Sequence, residues 1–136
     1  MSNIVSTIRK FTTMESFALP ASDETIEKAE KELNLKFAND YREYVSAFGA
    51  IWSEKITVSG IIDGDKDFGV VELTNRLRPL YSPQTPHSFY VIEDVGVDGL
   101  VIWQDKNSAI YQSIPGSEPF QIHDNLSDFL EYVMQG

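Results

Sequence analysis

Cysteine is absent from this chain. That excludes disulfides, a cysteine-based zinc site and a thiol nucleophile, and it fits a reducing compartment. Long apolar runs are missing too. No stretch approaches the ~18 residues of a membrane span, and the opening MSNIVSTIRKF lacks the apolar core of a secretory leader. The expectation is a soluble, cytoplasmic protein with no membrane contact. Basic residues are scarce, with 21 acids against 11 bases and a net charge of −10. No nucleic-acid partner is expected, because neutralising phosphates takes clustered Lys and Arg. The shortage is uneven. Residues 1–81 hold 13 acids and 10 bases, whereas residues 82–136 hold eight acids and one base, Lys106, a net of −7. An acidic half of this kind steers association with a basic partner.

Catalytic patterns are also wanting. Neither of the two histidines, His87 and His123, stands in HExxH spacing. His123 precedes Asp124, but Ser113 and Ser117 lack the G-x-S-x-G elbow a hydrolytic nucleophile would use. Asp63, Asp65 and Asp67 imitate the first half of a calcium loop. That loop needs Gly at its sixth position and Glu at its twelfth, where this chain has Phe68 and Thr74. An exposed turn is the better reading. The segments GVDG and DGDKDFG match neither a P-loop nor a dinucleotide fingerprint. Glu93, Asp98 and Asp105 could act as paired carboxylates only if a pocket held two of them within about 5–10 Å. Glu93 and Asp94, adjacent in a strand, point to opposite faces, and Asp98 and Asp105 fall in turns, where Asp serves local hydrogen bonding. No catalytic residue, cofactor or metal is expected.

What is present is the material of one domain. At 136 residues and 42% hydrophobic, residues 1–136 can bury a single core. Ile4, Val5, Ile8 and Phe11 form one helical stripe over Asn3–Phe11, which Ser2 or Asn3 could cap. Thr12–Pro20 reads as a connector, with Phe17 and Leu19 packing inward. Ser22 caps a helix that buries Ile26, Ala29 and Leu33 and ends at Asn34. Leu35 and Phe37 point inward from a short connector. A helix capped by Asn39 then runs over Asp40–Phe48 on the stripe Tyr41, Tyr44, Val45, Phe48 and stops at Gly49. Strands follow at 50–52 and 55–61, with Gly60 as a bulge, then a helix over Phe68–Tyr81 ended by Pro79. Four segments, 89–95, 100–104, 109–112 and 118–123, are spaced as a meander of antiparallel strands. Asn125 caps a closing helix carrying Leu126, Phe129, Leu130, Val133 and Met134. The fold class is α+β, a mainly antiparallel sheet with helices packed on one side.

The stretch IEKAEKELNLKFANDYREYVSAFGA resembles the N-terminal signature of the SUKH superfamily, the Smi/Knr-type proteins. Ile26, Glu30 and Leu33 fill its first helix and Leu35 and Phe37 its connector; Tyr41, Phe48 and Gly49 fill its second helix and turn. Ala38 stands where the family usually has Pro, and Ala50 where a second Gly is common. Downstream, FYVIEDVGVDGLVIWQDKNSAIYQS resembles the family hairpin, and NLSDFLEYV its closing helix. The resemblance implies a non-enzymatic binding module, in bacteria typically an immunity protein that neutralises a cognate polymorphic toxin, often a nuclease. Fungal relatives are regulatory scaffolds of cell-wall synthesis, which is the alternative. With the acidity after residue 81, it makes a basic protein toxin the expected partner. The candidate contacts are Glu93, Asp94, Asp98, Asp105 and Glu118, with Trp103 and Tyr111 as aromatic anchors on an outer sheet face.

Overall fold

The computed structural model describes residues 3–11, 16–53, 55–62 and 64–135. Ser2, the Thr12–Glu15 part of the connector and Asp63 lie outside them. The first helix, α1 (Ile4–Lys10), buries Ile4 and Ile8 and places Arg9 and Lys10 in its last turn, where cations suit the helix dipole. The second, α2 (Asp23–Leu33), begins where Ser22 Oγ accepts a hydrogen bond from Thr25 N at 3.2 Å, and it ends at Asn34, φ 54°. The third, α3 (Asn39–Phe48), stops at Gly49, whose φ of 74° favours a residue without Cβ.

Asn39 is already helical, and α3 has no side-chain cap. Its entry is held from a distance instead. The buried Glu30 carboxylate accepts from Phe37 N at 2.8 Å and pairs with Arg42 at 2.8 Å. Ala38 N donates to the Tyr90 hydroxyl at 3.0 Å. Ala38, standing where the resembled pattern usually has Pro, thus supplies an N–H that Pro could not.

The short strands β1 (Ser16–Phe17), β2 (Ile51–Trp52) and β3 (Thr57–Val58) form a small antiparallel sheet in that order. Phe17 stacks on Phe48 at 5.2 Å, but Leu19, expected to pack inward, is exposed. Gly60 is not a bulge in a long strand. It is a point where backbones press together: Ile61 N donates to Gly49 O, Gly60 N to Phe68 O and Val70 N to Gly60 O, at 2.8–3.0 Å. A Cβ there would collide with the main chain of Gly49 and Ala50. The fourth helix, α4 (Val70–Tyr81), carries Pro79 inside its last turn. Only the bond to the carbonyl of exposed Asn75 is lost there, so Pro79 does not stop the helix.

The main sheet is the expected meander, β4 (Tyr90–Asp94), β5 (Val101–Gln104), β6 (Ile110–Ser113) and β7 (Phe120–His123), all antiparallel neighbours. The closing helix, α5 (Leu126–Gln135), is capped as expected: Asp128 N donates to Asn125 Oδ1 at 2.8 Å.

The α+β class holds, with one refinement to the layering. Tyr90, Ile92, Ile102 and Ile110 pack with α1, α2, α3 and α5 on one face of the sheet. Val91, Val101 and Trp103 pack with Leu73, Leu77 and Tyr81 of α4 on the other. Alternate residues of a strand face opposite ways, so β4 and β5 are covered on both sides. At the centre, the rings of Phe37, Tyr41, Tyr44 and Tyr90 lie 4.8–5.5 Å apart. Their hydroxyls fasten elements together: Tyr41 donates to Ser59 O, Tyr44 to Val58 O and Tyr90 to Gln104 Oε1. Burial pushes all three phenols well above the ordinary range, so they stay neutral donors.

Candidate partner-binding surface

The seven candidate contacts divide by what already holds them. Glu93 is half-buried, and its carboxylate accepts from Thr57 N at 3.0 Å, joining β4 to β3. A bulge at Ile92 sets that geometry, shifting the register between Val91 and Glu93. Loss of solvent raises the Glu93 pKa, partly offset by the Thr57 hydrogen bond, and the charge on Asp94 raises it further. Asp94 is paired with Arg76 of α4 at 3.5 Å.

Asp105 is spent on its own turn. One oxygen accepts from Asn107 N and Ala109 N at 2.9 and 3.1 Å, and the other from the Tyr111 hydroxyl at 3.2 Å. The Tyr111 ring packs on Phe89 at 4.5 Å. Trp103 requires correction. It is 1% exposed, set edge-on to Tyr81, and its indole N–H donates to Ser113 Oγ at 2.9 Å. It is core rather than on an outer face, because α4 covers the sheet face that a helix layer on one side would have left open.

Asp98 and Glu118 remain. Both are exposed, and among the described residues neither is engaged by a hydrogen bond or an ion pair. They lie on the β4–β5 and β6–β7 connections, which leave the sheet at the same end. There the two turns touch, since a Cβ on Gly99 would stand 3.0 Å from Pro115 Cδ. The Tyr81 hydroxyl also donates to Gly99 O, pinning the first turn to α4. On the same two connections and the strand start beside them are side chains that sequence reasoning left out: Val95, Val97, Ile114 and Phe120, exposed to 37, 62, 44 and 66%. Phe120 reads as core when judged by type. The available signal was positional, in β-branched residues set inside Gly- and Pro-bounded turns (GVDG, SIPGS) where no core can reach them. Exposed apolar groups clustered within a polar rim mark contact surfaces.

The candidate carboxylates are spread along the strands and their turns. Asp98 and Asp105 sit at opposite ends of β5, and among the described residues no group of three or more His, Cys, Asp or Glu could hold a metal ion. Asp65, the suspected calcium ligand, instead accepts from Asp67 N and Phe68 N at 2.9 Å in a local turn. A polar cavity of about 670 Å³ opens at the far end of the sheet, lined by Asn39, Asp40, Ser108, Asn125 and Asp128 among others. Its buried acid, Asp40, accepts from Gln104 Nε2 and from Leu126 N, both at 2.9 Å. Burial raises its pKa against the pull of those bonds. The carboxylate fastens the start of α5 to α3 and β5. No described helix is long and apolar enough to cross a membrane.

A search of curated proteins finds no match to the chain. The family model SUKH_5, described as SMI1-KNR4 cell-wall, matches residues 1–135. Its span takes in the clamped helix pair, the meander and the closing helix alike. The chain therefore belongs to the SMI1-KNR4 (SUKH) family.

Proposed function

We propose that this protein is a cytoplasmic immunity protein, which binds and neutralises a cognate protein toxin and catalyses no reaction itself. The observation that carries the reading is the net charge of −7 after residue 81, whose one base, Lys106, stands on the β5–β6 turn at the far end from Asp98 and Glu118. A nuclease toxin must be basic to bind its substrate, and an acidic face accelerates the encounter with such a partner. Family membership supports the reading, because binding modules of this kind act through surface rather than catalysis.

Co-expression tests it. The toxin domain encoded beside the gene should kill alone, be tolerated with this protein and co-purify with it. Cells that die in both cases, with no complex formed, would end the immunity reading. The family description's reference to the cell wall favours one other reading, a regulatory scaffold for wall synthesis. That reading predicts stable binding to the cell's own synthetic enzymes and no protection against any neighbouring toxin.

A further inference from the structure

We infer that the partner docks on the turn end of the main sheet, seating an apolar centre on Val95, Val97, Ile114 and Phe120 while Asp98 and Glu118 meet its Lys or Arg side chains. The inference deepens the proposed function and rests on it only for the partner's identity.

Three observations converge on one patch. First, four apolar side chains stand 37–66% exposed on two neighbouring connections. Among the described residues, the other large exposed apolar groups, Phe17, Leu19, Leu80 and Tyr132, lie outside these two connections. Second, the two turns are braced against one another and against α4, through Gly99, Pro115 and Tyr81. The patch is therefore preorganised, which lowers the ordering cost of binding. Third, its acids are free, whereas Glu93, Asp94 and Asp105 are each held within the fold. Free acids beside a braced apolar patch fit a partner that is basic at its rim and apolar at its centre. A second copy of this chain would set acid against acid, and an anionic lipid surface would be repelled.

Two measurements decide it. In the first, the full chain is titrated with a short peptide alternating lysine and tryptophan and followed by amide NMR. The shifts should concentrate at residues 95–99 and 114–120; equal shifts along the exposed acids of α2, Glu24 and Glu27, would overturn the assignment. In the second, affinity for an inactivated form of the neighbouring toxin domain is measured for three double variants. Val97→Ser with Phe120→Ser should weaken binding tenfold or more, mainly by faster dissociation. Asp98→Asn with Glu118→Gln should slow association and flatten its salt dependence; Asn tolerates the positive φ of 54° at residue 98. Glu24→Gln with Glu27→Gln makes the same charge change elsewhere and should leave binding intact.

If the wild type binds the toxin and all three variants bind equally, the surface is wrong and the immunity reading stands. If the wild type neither binds nor protects while the peptide still maps to the two turns, the immunity reading falls and the surface survives. A concentration-dependent dimer abolished by Val97→Ser would overturn the assignment in favour of self-association.

Discussion

In the helix pair Ser22–Gly49, the acid Glu30 is buried with both carboxylate oxygens engaged, and the aromatic Tyr41 is wholly enclosed with its hydroxyl donating to Ser59 O. At the turn end of the sheet, the acids Asp98 and Glu118 have no hydrogen-bond or ion-pair partner among the described residues, and the aromatic Phe120 stands two-thirds exposed. The same residue types thus do opposite work in the two places. In the helix pair Glu30 and Tyr41 are consumed by folding and have nothing left for a partner. At the sheet end the same types are spare, and spare groups are what recognition can draw on. Signature strength and spare surface are therefore separate here: the residues that identify the family are the ones the fold encloses, and the proposed docking surface lies elsewhere.

The comparison breaks most sharply at Glu30. Glu30→Ala should cost about 2–4 kcal/mol, toward the lower part of the range for breaking a buried pair because Arg42 is one-third exposed and can rehydrate. Phe37 N is stranded as well. Chemical denaturation checks this, and a loss under 1 kcal/mol would mean that the pair is not what holds the connector.

Tyr90→Phe tests the buried network next. It leaves Ala38 N and Gln104 Oε1 without their shared hydroxyl, at an expected cost of about 1–3 kcal/mol. Ala38→Pro removes a donor from the same spot but leaves no orphaned N–H. Ala38 already has φ −66°, the value a proline ring fixes. The ring Cδ, however, takes the place of the N–H and meets the Tyr90 hydroxyl 3.0 Å from that nitrogen, so the loss should exceed the entropic gain and reach more than about 1 kcal/mol. An unchanged stability in this variant would show that the Tyr90 hydroxyl can turn away and keep Gln104 alone.

How much of this was legible follows from whether the code is local. Ser22, Asn34, Gly49 and Asn125 act within a few residues of themselves, and each plays in the structure the capping or terminating part its type implies. The reach of Glu30 to Phe37 N and of Tyr90 to Ala38 joins segments by tertiary placement alone, and no periodicity encodes it. Trp103 was misplaced because a meander suggests one open face. The unbroken run Val101–Gln104, buried throughout, is what a strand covered on both sides looks like. The free acids could not be told from the engaged ones, since Asp98 and Asp105 occupy similar turns and differ only in what surrounds them.

A smaller effect, in pH, lies between the two regions. Burial raises the Glu93 pKa above its ordinary 4.5, so the folded state holds this proton more tightly than the unfolded chain does. Its contribution to stability is then most favourable below about pH 4.5. It declines as pH rises through the raised folded pKa and stays unfavourable above it. Asp40, raised from 3.8 by burial, acts in the same direction. Glu93→Gln keeps an acceptor for Thr57 N and removes the titration, so its stability should fall less than that of the wild type between about pH 4.5 and neutrality. Parallel stability–pH curves would show that Glu93 is hydrated in solution, which would return it to the set of free acids.

The smallest expected effect is the most telling for the comparison. Val97→Ser with Phe120→Ser removes two large apolar groups, yet both project from turns or a strand edge into solvent. Surface changes away from caps, buried networks and cavities stay within about 0.5 kcal/mol. The double variant should therefore unfold at nearly the wild-type denaturant midpoint with an unchanged slope. A cost of 2 kcal/mol or more would mean that Phe120 folds inward in solution and belongs to the same economy as Tyr41. Near-zero cost to stability, with a tenfold or greater loss of binding, would separate the two regions thermodynamically as cleanly as they separate in space.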